Sequence, residues 1–340
     1  MKGFLDLADF SHDAVVDMLA LAARLNDKPE PAALAGRTLG LVFFNPSLRT
    51  LASMQVAMAE LGGHSFVITP GNGSWELETA DGVVMNGKAA EHIREGIPVL
   101  ASYCDALAVR AFAEGRDLAT DLAEPMFTKI AALCDKPLVN LESAMNHPCQ
   151  ALADWKTLDD LGVPRRGKFV LSWANHPRAL PLAVPAAAAH MAALRGMEVV
   201  VLRPEGYALP EPIMRKARAA AAATGGSVVE TDDREAALAG AHVVYAKEWG
   251  STDHYGDAAA DARLRASLSD WMLKESWFAR ARPGCRLMHC LPVRRNVAVA
   301  DELLDGARSA VLPQAHNRLV VQRAVLHRLL ANRGRAAIAA

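Results

Sequence analysis

A C-x-x-C pair is missing from this sequence: its five cysteines, Cys104, Cys134, Cys149, Cys285 and Cys290, form an odd, scattered set. That excludes a zinc ribbon and a disulfide framework, and it fits a reducing cytoplasm. Neither sign of charge predominates either, with 37 basic and 38 acidic residues mixed along 340 and a net charge of −1. Such a chain offers no basic face to nucleic acid and no polybasic patch to a membrane, so the expected partners are small molecules and copies of itself. No run approaches the roughly 18 apolar residues a membrane helix requires. The richest, Leu182 to Leu194, contains Pro185 and His190 and reads as a buried alanine-rich helix. Acids interrupt the apolar N-terminal run at Asp6 and Asp9, and no targeting leader is expected there. Short-period repeats are absent. So is the G-x-G-x-x-G signature of dinucleotide binding, which argues against a dehydrogenase.

What is present begins with length and apolar content. Half the residues are hydrophobic, and 340 residues suggest about two domains. The stretch from Leu39 to Gly62 organises the rest: Leu39 to Phe44 reads as a buried parallel strand, Asn45-Pro46 stops it, and Thr50 to Leu61 reads as a helix. Ser47, Arg49 and Thr50 then stand at a strand-to-helix turn. Free backbone N–H groups, two hydroxyls and a guanidinium at such a turn suit a phosphate. A bare S-x-R-T equally describes an N-cap beside a surface arginine, so the remaining turns must decide.

Asp9 to Leu25 reads as a lead-in helix and His64 to Thr69 as a second strand. The glycine-rich loop at 70–74 delivers Trp75, which either anchors its own loop or serves an interface or a ligand. Glu91 to Tyr103 is helical around Pro98, and Asp105 to Arg110 is a strand ending in arginine. In an open α/β sheet, ligands gather beyond strand carboxyl ends, so Arg110 and the Ser47 turn face one crevice. A helix at Pro125–Leu133 and a strand at Pro137–Leu141 lead into Glu142-Ser-Ala-Met-Asn-His147-Pro148-Cys149-Gln150, a second strand-to-helix turn opening the helix to Leu161. There His147 and Gln150, one turn apart, face the first site. A polar break at 162–167 restarts the pattern. Strands at 168–173, 197–202, 227–230 and 242–246 alternate with helices at 180–194, 211–224 and 234–238, the signature of a second parallel sheet. A helix is expected at 268–277, then a strand Cys285–His289 running into Cys290-Leu291-Pro292-Val-Arg294-Arg295-Asn296. Two arginines beside Cys290 suggest either an activated thiolate or a small buried residue. Gln314 begins an amphipathic helix to about Ala331, with a frayed end at Arg333 to Ala340.

The Ser47 turn, Arg110, His147-Pro148-x-Gln150, His289-Cys290-Leu291-Pro292 and Asn317-Arg318 together resemble the carbamoyltransferase family, in that order and over nearly the whole chain. The resemblance implies two α/β domains, each a parallel sheet flanked by helices, with the active site in the interdomain cleft. The expected division is 1–148, joined by the C-terminal helix 314–340, for carbamoyl phosphate, and 149–313 for the acceptor. It further implies a homotrimer with shared active sites, no metal and no cofactor. Phe43 to Thr50, Trp75, Trp173-x-x-His176-Pro177-Arg178 and Cys290 to Asn296 are most similar to the branch acting on N-acylated ornithine. By that likeness Ser47, Leu48 through its backbone, Arg49, Thr50, Arg110 and Arg318 hold carbamoyl phosphate, and Trp75 enters from a neighbouring subunit. His147, Arg110 and Thr50 bond the carbonyl oxygen, Gln150 orients the NH₂ group, and Cys290 and Leu291 touch the same group. Glu142, His176, Lys247 and Arg294 match acylornithine-binding positions.

Some positions depart from the family pattern. Leu51 stands for a second arginine, Asn86-Gly87-Lys88 for Asp-Gly-Asp, and Gln314 for a glutamate. Acetylornithine enzymes resemble one another in a glutamate at the position of Ala90 and a lysine at that of Ala298. This chain has neither, and its run from His176 to Pro185 is similar to that of the succinyl type. N-Succinylornithine is therefore the favoured acceptor and N-acetylornithine the next. An ornithine carbamoyltransferase and a paralogue that binds carbamoyl phosphate without turnover are the alternatives.

Overall fold

Aliphatic stretches buried on both faces organise the chain as two five-stranded, all-parallel sheets in the computed structural model, which describes residues 1–331. In chain order the strands are β1 (Gly3–Phe4), β2 (Thr38–Phe43), β3 (His64–Ile68), β4 (Leu77–Glu78), β5 (Glu91–His92), β6 (Ala106–Arg110) and β7 (Leu138–Glu142). They continue with β8 (Lys168–Trp173), β9 (Glu198–Leu202), β10 (Ser227–Thr231), β11 (Val243–Lys247) and β12 (Arg286–Met288). The first sheet has the order β1-β7-β6-β2-β3 and the second β10-β9-β8-β11-β12, while β4 and β5 make a separate ribbon. Parallel strands need crossovers, and those crossovers are the helices that cover the sheet faces.

Two interruptions in strand order fix where ligands can bind. After β2 the chain goes out to β3 and returns to β6 on the other side; after β8 it goes out to β9 and β10 and returns to β11. The crevices at these reversals lie between the carboxyl ends of β2 and β6 and of β8 and β11. Register places Phe43 beside Arg110, Arg110 beside Glu142, and Lys247 beside Trp173. An irregularity between Val109 and Arg110 sets the second of these pairings.

Local signals account for the helices that matter. Ser47 caps the Leu48–Glu60 helix, its hydroxyl accepting from the Thr50 N–H at 3.3 Å. Pro148 occupies the first position of the Pro148–Asp160 helix, where its missing N–H costs nothing. The Val311–Leu330 helix returns to pack against both of these and against the His12–Asp27 helix. Asn317 fastens it there, donating to Thr157 Oγ1 at 3.0 Å and to Asp160 Oδ2 at 2.9 Å. Lys216 of the second half also bonds Asp6 beside β1.

One expected element is misplaced. Instead of a helix at 268–277, the chain forms a helix at Ala258–Ala266 and a 3₁₀ segment at Glu275–Arg280. Asp257 decides this, because its carboxylate caps the Ala259 and Ala260 N–H groups and starts the helix earlier. Trp271 then turns inward against Trp173 and Trp277. The lead-in helix, expected from Asp9, starts at His12 with Ser11 as its cap. The C-terminal residues 333–340, expected to be frayed, lie outside the described residues.

Candidate active site

Between the two crevices lies a cleft of 590 Å³. Fourteen of the fifteen residues singled out from sequence line it: Ser47, Leu48, Arg49, Thr50, Arg110, Glu142, His147, Gln150, His176, Lys247, Cys290, Leu291, Arg294 and Arg318. Trp75 does not. It stands on the 70–76 loop, 60% exposed, and its indole N–H donates to Glu91 Oε2 at 2.8 Å. Ala90 is exposed next to that glutamate, and Ala298 is buried away from the cleft.

Arg318 ties the first half of the site together. From the C-terminal helix its Nη2 donates to Thr50 Oγ1 at 3.0 Å and its Nη1 to Gln150 Oε1 at 2.8 Å. The same Nη1 lies 3.4 Å from His147 Nε2. Two strand-to-helix turns distant in sequence are thus clamped by one guanidinium. Arg110 forms a buried pair with Glu142, its register neighbour, and stacks 4.4 Å over the Phe112 ring. Glu142 Oε2 also lies 3.4 Å from His147 Nε2. Burial, then the positive charges of Arg318, Arg110 and Arg49, hold His147 well below the ordinary histidine value. The ring is therefore neutral near pH 7 and carries a single N–H.

In the second half, Lys247 and Glu248 end β11. Lys247 Nζ donates to Glu248 Oε2 at 3.0 Å, and His289 Nε2 lies 3.1 Å from Glu248 Oε1. The Leu291 N–H donates to His289 Nδ1 at 2.9 Å, so Nδ1 carries the lone pair and Nε2 the proton. This chain of bonds holds Leu291 at φ 57°, a conformation that non-glycine residues adopt at a cost. The Leu291–Pro292 peptide is cis. His176 follows β8, its Nδ1 accepting the Arg178 N–H at 3.0 Å.

The idea of an activated Cys290 thiolate fails here. Desolvation pushes its thiol up to about 11, a larger effect than the opposing charge of Lys247. Arg295, one of the two arginines that suggested activation, turns away to pair with Asp301 and Asp305. Cys290 faces the cleft as a neutral thiol.

Five arginines (Arg49, Arg110, Arg178, Arg294, Arg318) and Lys247 line the cleft against one lining carboxylate, Glu142. Such an excess of cations suits a ligand set bearing several negative charges. Glu248 and Asp154 support the site without having been picked out from sequence, as does Gln314, noted there only as a departure from the family pattern. Lys247-Glu248 adjacency and the one-turn spacing of Gln150 and Asp154 were the available signals. Among the described residues there is no cluster of metal-ligating side chains, and no helix is long and apolar enough to cross a membrane.

A phosphate-suited turn at one sheet reversal, opposed across a cationic cleft by a second parallel sheet, defines a two-domain group-transfer enzyme. Residues 2–160 match the family model described as aspartate/ornithine carbamoyltransferase, carbamoyl-P binding domain, and residues 184–329 match its Asp/Orn binding domain. The chain belongs to the aspartate/ornithine carbamoyltransferase family, as the sequence motifs had indicated. It is 36% identical over 334 residues to N-acetylornithine carbamoyltransferase of Xanthomonas campestris pv. campestris, covering 97% of this chain and 98% of that one. It is 37% identical over 298 residues to N-succinylornithine carbamoyltransferase of Bacteroides fragilis, covering 87% and 88%. A crystal structure of a mutant N-acetyl-L-ornithine transcarbamylase complexed with carbamyl phosphate and N-succinyl-L-norvaline matches with a TM-score of 0.93 at 36% identity. It covers 97% of this chain and 100% of that one.

Proposed function

We propose that this enzyme transfers the carbamoyl group of carbamoyl phosphate to the δ-amine of an N-acyl-L-ornithine, giving N-acyl-L-citrulline and phosphate, a step of arginine biosynthesis. The observation that carries the proposal is the Arg318 clamp, which joins Thr50, Gln150 and His147 at one end of the cationic cleft. Residues 1–148, with the described part of the C-terminal segment from 314, form the carbamoyl-phosphate half, and 149–313 the acylornithine half.

The phosphate lies over the N-terminus of the Leu48–Glu60 helix, held by Ser47, the Leu48 N–H, Arg49, Thr50, Arg110 and Arg318. Thr50, Arg110 and the neutral His147 donate to the carbonyl oxygen. Their contribution grows as that oxygen becomes an oxyanion, and one such donor is commonly worth about 2.7–4 kcal/mol. Gln150 Oε1 has a lone pair for the carbamoyl NH₂, which Cys290 and Leu291 also contact. Glu142, His176, Lys247 and Arg294 bind the acylornithine. The unprotonated δ-amine attacks the carbonyl carbon, the tetrahedral intermediate expels phosphate, and phosphate accepts the proton lost from nitrogen.

N-Succinylornithine is the favoured acceptor and N-acetylornithine the next. Arg178 and Arg294 support this choice, since both line the cleft and neither side chain has an ion pair among the described residues. Trp75 completes the carbamoyl-phosphate pocket of a neighbouring subunit in a cytoplasmic homotrimer. Its exposure supports this, as does that of Val84, 81% exposed on the adjoining loop. The proposal is tested by mixing enzyme, carbamoyl phosphate and N-succinylornithine and following inorganic phosphate. Release that requires both substrates is expected, and release indifferent to the acceptor would refute it.

A further inference from the structure

Asp154 is fully buried one helical turn beyond Gln150 and forms no ion pair among the described residues. A carboxylate is costly there, and an aliphatic side chain would pack without that cost. Its Oδ1 accepts two amide hydrogens, from Gln150 Nε2 at 2.8 Å and from Gln314 Nε2 at 2.7 Å. Gln314, also fully buried, accepts the backbone N–H of His289 at 2.8 Å through its Oε1. Asp154 and Gln314 together therefore join three segments: the helix carrying His147 and Gln150, the C-terminal helix carrying Arg318, and the turn carrying Cys290 and Leu291. From other elements, the Tyr245 hydroxyl, the Cys290 thiol and the Arg318 guanidinium face the same carboxyl.

We propose that Asp154 and Gln314 are positioning residues that hold both walls of the carbamoyl pocket in register, and that an amide at 314 keeps a second ionising carboxyl out of this hold. The inference rests on the carbamoyl-transfer reading. Asp154 fixes which way the Gln150 amide faces, so that Oε1 is shared between Arg318 and the substrate NH₂. Gln314 donates to a carboxylate and accepts from a backbone N–H, and an amide does both without gaining or losing a proton. A glutamate at 314 would set two carboxyls at hydrogen-bond distance, and such a pair must share one proton to stay together. Burial already lifts Asp154 to about 6, against the lowering effect of its amide bonds.

The test is the pH dependence of turnover, with carbamoyl phosphate and N-acylornithine, for wild type, Gln314→Glu, Asp154→Asn and Asp154→Leu. Gln314→Glu is expected to lose activity relative to wild type as pH rises from about 6 to about 8.5, by about five-fold or more, as the second carboxyl ionises beside the first. Asp154→Leu is expected to lower kcat about ten-fold or more with the acylornithine KM little changed, because the acceptor binds across the cleft. Asp154→Asn keeps an oxygen for both amides and should recover most of that loss. A Gln314→Glu profile parallel to wild type, or an asparagine variant as impaired as the leucine one, would overturn the inference. Should the leucine variant not fold, the Gln314→Glu profile decides alone. Absence of turnover by wild type would instead refute the functional reading on which the inference rests.

Discussion

Replacing Glu248 by glutamine isolates the buried pairing behind the second half of the site. The native carboxylate faces Lys247 Nζ at 3.0 Å and the His289 ring at 3.1 Å, and Lys247 and Glu248 are both buried. Glutamine retains an oxygen for the His289 Nε2–H but leaves Lys247 without its counter-charge. Breaking a buried pair by removing one partner costs about 3–5 kcal/mol. At about 2–4 °C per kcal/mol for an unfolding unit of this size, the melting temperature at neutral pH should fall by on the order of 10 °C. Burial alone would raise the Glu248 carboxyl, but Lys247 and His289 outweigh it and hold the group far below the ordinary glutamate range. A depressed carboxyl contributes its full stability above the unfolded value of about 4.3 and loses it as pH falls towards the folded value. The gap between wild type and Glu248→Gln should therefore be widest at neutral pH and narrow below about pH 4. Thermal melts of both proteins across that range, with kcat/KM at neutral pH, make the assay. A shift of less than about 2 °C at neutral pH would show that Lys247 does not depend on Glu248, and the reasoning would fail.

Thr50→Val removes the oxygen that accepts from Arg318 while keeping the shape of a buried side chain; kcat should fall about 10²–10³-fold with the fold retained by circular dichroism. Arg178→Ala should raise the KM for N-succinylornithine about ten-fold more than that for N-acetylornithine, and equal changes would remove Arg178 from acyl recognition. Because the Cys290 thiol is pushed up to about 11, its alkylation rate should still be climbing above pH 9; a plateau near neutrality would mean a thiolate after all. Trp75→Ala should raise the KM for carbamoyl phosphate without lowering thermal stability, since its ring is exposed in the single chain.

Much of this architecture was legible because parallel sheets announce themselves. Buried strands such as Leu39–Phe44 and 168–173 read as unbroken apolar runs, and each ends at a polar turn where ligands collect. The bounds moved by one residue at β2 and β11, where backbone pairing rather than composition sets the end. The helix expected at 268–277 was misplaced because its apolar residues are aromatic packing contacts, whereas Asp257 held the actual start signal. At the site, residue types at turns pointed to Ser47, Arg49, Thr50, Arg110, His147 and Gln150, and the family resemblance supplied the other contacts. The bonds among those residues escaped, since Arg318 and Thr50 are 268 positions apart and nothing local records that they meet. Lys247 illustrates the other limit: its position was marked from sequence, but its engagement with Glu248 emerges only from packing. Trp75 was expected to act from a neighbouring subunit, and a single chain leaves it at the surface.

The most direct test of the account is product formation from carbamoyl phosphate with N-succinylornithine, N-acetylornithine and free ornithine assayed in parallel, each citrulline product identified by mass. The account predicts N-succinylcitrulline as the fastest-formed product, N-acetylcitrulline next, and little from free ornithine. Preferential turnover of free ornithine, or none of any acceptor by a folded protein that binds carbamoyl phosphate, would contradict it.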